Sequence, residues 1–311
     1  MIVLVTGGAG FIGRRIVRLL ADRGQDVVSL DLNAAPLPDE FKGRVRAQRL
    51  DVTSFEDVIA AFAIYKPDVV INLAYTLSMF SDPRFAMKLN ILGMDNCFEA
   101  ARLCDVKRVI FASSMGVSVG PENYGDAPIR ETDPLVLPDA QYSMHKIFNE
   151  WQAKDYRDTH GMNIVGVRVM MVTGADKVLG SLDHVHCIRG AALGQKVSFP
   201  YRDAMKCIIY VDDVAEIFTR MAMAQTLRHN LYNTGGETIS LGEIADIVNK
   251  FIPDADIAFE HETGDKPFLA YSFNNDRLTE ELDIRFAPYE QRVGEMIAVI
   301  RREVMNAGRG R

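Results

Sequence analysis

The sequence predicts an α/β fold, a doubly wound parallel sheet with a smaller α/β region at its C-terminal end. Three observations carry that expectation. An apolar run, Ile2 to Val5, leads into the glycine-rich turn Gly7-Gly8-Ala9-Gly10-Phe11-Ile12-Gly13. Short apolar runs then alternate with helically spaced segments as far as Val169. From about Met170 that rhythm stops. A parallel sheet covered by helices on both faces buries its strands completely, so they read as unbroken apolar runs, whereas a covering helix keeps one apolar stripe.

The elements follow in order. Arg14 to Asp22 carries Ile16, Val17, Leu19 and Leu20 at helical spacing, and Asp26 to Asp31 reads as the second strand. Asn33 to Gly43, with Pro36 and Pro38, is a loop, and Val45 to Leu50 is a third strand ending at Asp51 and Val52. Ser54 caps a predicted helix from Phe55 to Tyr65, and Asp68 to Ala74 is a fourth strand. A long helix is expected from Pro83 to Cys104, a fifth strand from Val106 to Ala112, a helix from Gln141 to His160 and a sixth strand from Asn163 to Val169. Beyond Met170 short helical patterns dominate. Val211 to Met223 is helical, Leu231 to Thr234 is a short strand, and Ser240 caps a helix to Lys250. Helices recur near Asp276 to Glu281 and Tyr289 to Met305, before a tail expected to fray from Asn306 to Arg311. Residues 1–169 are thus expected to form a nucleotide-binding domain, with segments near 205–235 returning to it, and residues 170–311 mainly a substrate-binding region.

At a strand-to-helix turn the spaced glycines Gly7, Gly10 and Gly13 have separate tasks. One permits the tight turn, one lets backbone approach a pyrophosphate, and one lets the helix pack on the sheet. The amides of the turn, through Phe11 and Ile12, and the positive end of the helix dipole then favour an anion. This is the dinucleotide turn of a Rossmann sheet. Asp31 falls about 20 residues beyond it, at the end of the second strand, where an acid accepts hydrogen bonds from the adenosine ribose and repels a 2'-phosphate. NAD is therefore expected over NADP.

A chain of 311 residues can bury a sizeable core, and its formal net charge of -7, with no basic stripe, argues against nucleic-acid binding. No apolar run approaches the roughly 18 residues of a membrane span. The sequence starts directly on a strand, so a cytoplasmic protein is expected. Cys97, Cys104, Cys187 and Cys207 have no zinc-ligand rhythm and are expected to stay reduced. His184 and His186 point to different faces of a helix, and no metal is expected.

Tyr142 and Lys146 stand four apart, on one helical face, in the helix after a strand that ends in Ser113-Ser114. A hydroxyl, a phenol and an ammonium can converge there at the carboxyl edge of the sheet. The phenol, with an ordinary pKa near 10, needs a neighbouring cation to act as a base at neutral pH, and Lys146 supplies one. Ser114 holds the substrate oxygen while hydride moves to or from a nicotinamide.

With these motifs the chain resembles the extended short-chain dehydrogenase/reductase family, the NAD-dependent epimerases and dehydratases. The likeness extends through Pro67 to Ala74, through Asn90 to Ala101, similar to the family's NVxGTxNxLEAA helix, through Tyr210-Val211-Asp212-Asp213 and through Tyr232-Asn233-Thr234-Gly235-Gly236. It implies that Asp51 and Val52 border the adenine and that Leu73, Ala74 and Asn90 lie along the cofactor. It further implies that Tyr142 transfers the proton and that Lys146 also bonds the nicotinamide ribose. Ser114 aligns with the active hydroxyl, with Ser113 as the alternative register.

Departures from the family pattern choose among its reactions. Met115 and Gly116 stand where dehydratases carry an Asp-Glu pair, so dehydration is not expected. Lys206 and Glu262 stand where members acting on nucleotide sugars carry arginines that grip the diphosphate; lysine lacks the bidentate fork and Glu262 repels phosphate. Met79, Met115, Met144, Met170 and Met171 fall near strand ends or beside the tyrosine, either as core packing or as a pocket for an apolar substrate. Thr76, Ser78 and Met79, on the loop after the fourth strand, together with Met115, Met170, Met171 and Lys206, are the candidate substrate contacts. Arg14, Arg15 and Arg18 are expected on a solvated helix face, and His145 off the catalytic face. Surplus apolar residues on the two long helices, among them Phe85, Leu92, Phe148 and Trp151, suit a homodimer. The expected activity is hydride transfer between NAD and a secondary alcohol or ketone of a small non-nucleotide substrate. A nucleotide-sugar epimerase with tightly bound NAD is the alternative, and a cofactor-binding sensor without turnover a third reading.

Overall fold

A computed structural model describes residues 1–34, 41, 43–77, 79, 81–267 and 270–309. Most of the loop predicted over 33–43 lies outside them, as do Ser78 and the last two residues of the tail. The strands β1 (Ile2–Thr6), β2 (Asp26–Asp31), β3 (Val45–Arg49), β4 (Val69–Asn72), β5 (Arg108–Ser114), β6 (Ile164–Val169) and β10 (Leu231–Asn233) form one seven-stranded sheet. Its order is β10-β6-β5-β4-β1-β2-β3, and every neighbouring pair is parallel. The order reverses between β1 and β4, so the connections leaving those two paired strands run in opposite directions and leave a crevice for a ligand beyond their carboxyl ends.

Helices cover both faces. On one, α1 (Gly13–Asp22) and α7 (Val211–Met223) bury Ile16, Leu20, Ile217 and Phe218 against the sheet. On the other, α2 (Phe55–Tyr65), α4 (Gly93–Leu103) and α5 (Gln141–His160) enclose Phe62, Phe98 and Phe111. Ser54 caps α2 by accepting from the Asp57 N–H, and Ser240 forms a capping box with Glu243 at the start of α8 (Leu241–Phe251). No described helix is long and apolar enough to cross a membrane.

Three departures from the sequence reading have physical causes. The helix expected over 83–104 is divided into α3 (Pro83–Met87), a π turn (Lys88–Leu92) and α4. The widened turn carries Asn90, fully buried, and such bulges are characteristic of functional positions. β5 begins and ends two residues later than expected, because Asp105, at φ 52°, closes the preceding helix and Ser113 and Ser114 continue the ladder opposite Arg168 and Val169. The region after Met170 holds more than helices. β7 (Met171–Thr173), β9 (Met205–Tyr210) and β11 (Glu237–Ser240) form one sheet, and β8 (Val197–Tyr201) pairs with β12 (Ile257–His261). These strands are short and interrupted by polar residues, so no two-residue period stands out. With α6 (Asp183–Ala192), α8 and α10 (Tyr289–Arg309) they enclose a separate core around Ile188, Ile244 and Met296.

Candidate active site

β1 delivers the chain to Gly7, whose φ of 68° is left-handed. A Cβ there would lie 2.9 Å from the Ala74 nitrogen, and one on Gly13 would collide with the Gly7 carbonyl oxygen. The two glycines therefore draw the ends of β1 and β4 and the start of α1 together, leaving a shallow backbone cradle. Among the described residues the Phe11 and Ile12 N–H groups meet no backbone acceptor, and they sit at the N-terminus of α1, where an anion is stabilised. Gly7, Gly10, Asp31, Val52, Leu73 and Ala74 line one cleft, with Tyr75 on its wall. The Asp31 carboxylate accepts from the Ala9 N–H at 3.2 Å and the Asn33 N–H at 3.0 Å, which fixes it at the rim. A backbone cradle for a pyrophosphate with an acid at the ribose end fits NAD.

Two of the residues expected along the cofactor have partners within the protein. The Asp51 carboxylate accepts from the Thr53 N–H and hydroxyl at 2.9 and 2.8 Å, so it shapes its own turn while Val52 faces the cleft. Asn90 accepts from the Thr76 N–H at 2.9 Å and donates to the Thr76 carbonyl at 3.0 Å. Its side chain thus clamps the loop after β4. His145 is buried beside it, 3.2 Å from the Asn90 amide nitrogen and 3.0 Å from the Met87 sulfur.

The catalytic candidates converge from β5 and α5. Ser114, at the end of β5, accepts from the Gly116 N–H at 3.0 Å and lies beside the Tyr142 phenol, whose phenolate it favours. Ser113 points the other way and donates to Glu150 at 2.6 Å, so its hydroxyl is already committed. Glu150, one turn beyond Lys146, receives two hydrogen bonds from Arg168 of β6, at 2.9 and 2.8 Å. This nearly buried pair locks α5 to the two strands that carry the site. Lys146 is only 2% exposed; it donates to the Ala112 carbonyl at 2.7 Å and lies 3.2 Å from the Tyr75 ring centroid. Burial pulls its ammonium down to about 7, opposed by the Glu150 carboxylate. Tyr142 departs from the sequence reading. Burial pushes its phenol up, with Ser114 opposing, while the ammonium of Lys146 faces Tyr75 and stands 5.7 Å from the Tyr142 ring centroid.

The residues expected on the substrate side are held differently. Lys206, on β9, pairs with Asp183 at 2.7 Å. Burial pushes that carboxyl up, but the His184 hydrogen bond and the Lys206 ammonium outweigh it and hold the carboxyl below the ordinary range. At the second diphosphate position Glu262 is exposed, 3.7 Å from Arg202, whose guanidinium also holds Asp246 at 2.6 Å. The methionines do not gather into one pocket. Met115 and Met170 are packed in the core, Met171 is half-buried, and Met79 and Met144 are exposed. Thr76 is held by Asn90, and Ser78 falls outside the described residues. Arg14 and Arg18 are exposed, as expected of a solvated face, whereas Arg15 is half-buried; Arg14 and Arg15 both engage Asp176 on the loop after β7, and Arg15 also reaches Asp212 at 2.7 Å. His184 is buried and His186 exposed, and no metal-ligand cluster occurs among the described residues.

Comparison with known proteins agrees with this geometry. The profile of the NAD dependent epimerase/dehydratase family matches residues 3–235. The chain belongs to this family. It is 32% identical to the UDP-glucose 4-epimerase of Mycolicibacterium smegmatis over 238 residues, 71% of this chain and 72% of that protein. It is 29% identical to the L-arabinose 1-dehydrogenase (NAD(P)(+)) of Haloferax volcanii over 192 residues, 58% of this chain and 71% of that protein. The crystal structure of the Thermus thermophilus UDP-glucose 4-epimerase complex with NAD superposes with a TM-score of 0.82 at 26% identity, covering 97% of this chain and 99% of that one. Membership makes NAD the cofactor, and it leaves epimerases and dehydrogenases both among the relatives.

Sequence reasoning within this family missed Tyr75, Glu150 and Arg168. A signal for Glu150 was present, since Tyr142, Lys146 and Glu150 are spaced four apart and share a helix face. Arg168, in an otherwise apolar strand, needed a buried carboxylate as partner.

Proposed function

We propose that this protein is an NAD-dependent oxidoreductase that moves hydride between NAD and a secondary alcohol or ketone of a small, non-nucleotide substrate. Bound NAD would supply the hydride acceptor for the substrate's carbinol carbon in the oxidising direction, and the Tyr142 phenolate would take the hydroxyl proton. Ser114 orients the reacting oxygen, and Lys146 would hold the nicotinamide ribose and favour the phenolate once its ammonium leaves the Tyr75 ring. Residues 1–169 with the returning segments hold the cofactor, and residues 170–311 mainly the substrate.

The observation that carries the choice of substrate is the Lys206–Asp183 pair at 2.7 Å. The Lys206 charge that would meet a diphosphate is already neutralised, and the Arg202 guanidinium beside Glu262 is likewise held by Asp246. Calorimetric titration with UDP tests this: no binding is expected at millimolar concentration, and micromolar binding would contradict it. A second reading, a nucleotide-sugar epimerase that keeps its NAD, draws support from the likeness to UDP-glucose 4-epimerases.

We also propose a cytoplasmic homodimer. Phe85, Met87 and Leu92 on one helical stretch and Phe148 and Trp151 on α5 are 44 to 59% exposed, an apolar surface that a second copy would cover. Light scattering at the mass of a single chain would exclude it.

A further inference from the structure

Tyr75 stands where the cofactor cleft meets the catalytic pair. It follows Ala74 directly, lines the same cleft as Gly7 and Asp31, and turns the face of its ring to Lys146, whose Nζ lies 3.2 Å from the ring centroid. Tyr75 thus touches both the cleft and the catalytic pair. The ring also meets Tyr142 edge-on, with centroids 5.6 Å apart and planes at 87°. The Tyr75 hydroxyl is buried without a hydrogen-bond partner among the described residues. A buried phenol oxygen is normally satisfied, and leaving it unpaired is unfavourable. The ring is thus held by the cation and by packing while its polar end is unsupported, a placement readily surrendered when the cation meets better acceptors.

We propose that Tyr75 is a positioning residue that holds the Lys146 ammonium, closes the inner end of the cleft, and gives way when the nicotinamide ribose reaches Lys146. The inference rests on the role of Lys146 proposed above. Ribose hydroxyls then replace the ring face as partners of the ammonium, and the displaced phenol gains water. Displacement opposes only those ligands that extend beyond the second phosphate. NAD and ADP-ribose have to move Tyr75, and ADP does not.

The test titrates the full-length chain, freed of nucleotide, with ADP, ADP-ribose and NAD in a calorimeter. Tyr75→Ala is expected to bind NAD and ADP-ribose about tenfold more tightly than the unsubstituted protein, the equivalent of one cation–π contact, with ADP affinity unchanged. Tyr75→Phe keeps the ring and should gain nothing. Equal or weaker NAD binding by Tyr75→Ala, with ADP unchanged, overturns the inference, because the ring would then support the dinucleotide instead of yielding to it. Failure of ADP to bind either protein overturns the cofactor reading, and the inference with it. A second readout is acylation of lysines by an amine-selective reagent, followed by peptide mass mapping without nucleotide present. Lys146 should be modified faster in Tyr75→Ala, and an unchanged rate contradicts the shielding.

Discussion

The cofactor cleft and the substrate side are specified by different means. At the cleft, backbone sets the shape: Gly7 at φ 68°, Gly13 against the Gly7 carbonyl, and Asp31 tied to two amides leave little for side chains to vary. On the substrate side, pairings between side chains set the electrostatics, Lys206 with Asp183 and Arg202 with Asp246 and Glu262. A backbone device is retained or lost whole, whereas one exchanged charge re-aims a side-chain device. One family can therefore hold one cofactor and many substrates.

The largest expected effect separates chemistry from binding at the junction of the two regions. Tyr142→Phe should lower turnover by about 10³-fold, the scale of a lost acid–base group, while NAD affinity measured by calorimetry stays unchanged. Retained activity would remove Tyr142 as the proton carrier. On the cleft side, Gly7→Ala should destabilise the fold by about 1–3 kcal/mol for a side chain at positive φ and abolish NAD binding, read by denaturant unfolding and calorimetry. A variant that still binds NAD would break the claim that backbone defines the cradle.

A smaller effect appears in the pH dependence of stability. Burial lowers the folded-state Lys146 ammonium to about 7, below its value in the unfolded chain. Between those values the unfolded chain holds the extra proton, so stability should rise with pH from about 7 towards about 10, by at most ~1.4 kcal/mol per pH unit. Thermal unfolding of Lys146→Met should lack that slope. A loss of stability attributable to Lys146 over the same range would contradict its burial. The smallest effect belongs to the substrate side. Asp183→Asn frees Lys206, and calorimetry should then detect weak millimolar UDP binding that the unsubstituted protein lacks, as befits a partly exposed pair worth under about 1 kcal/mol.

Much of the fold was legible because buried parallel strands and glycine turns are local signals. Ile2 to Val5, Asp26 to Asp31 and the cap at Ser54 needed no tertiary information. The π turn around Asn90 was not legible, since a single widened turn leaves the helical period of the segment nearly intact. At the site, the Tyr142, Lys146 and Ser114 pattern could be read from spacing. The orientation of Lys146 towards Tyr75, the commitment of Ser113 to Glu150 and the neutralisation of Lys206 by Asp183 depend on residues 23 or more positions away and leave no periodic trace. The methionines were ambiguous for a related reason: an unbranched apolar side chain fits a core gap and a pocket equally well.

The central claim, an intact hydride machine on a site without a diphosphate grip, is tested most directly by following free NADH during turnover. The protein is supplied with NAD and a panel of small secondary alcohols, and separately with UDP-glucose. The account predicts a steady rise in nicotinamide absorbance with at least one small alcohol and no conversion of the UDP-sugar. Interconversion of UDP-glucose and UDP-galactose without released NADH would contradict it.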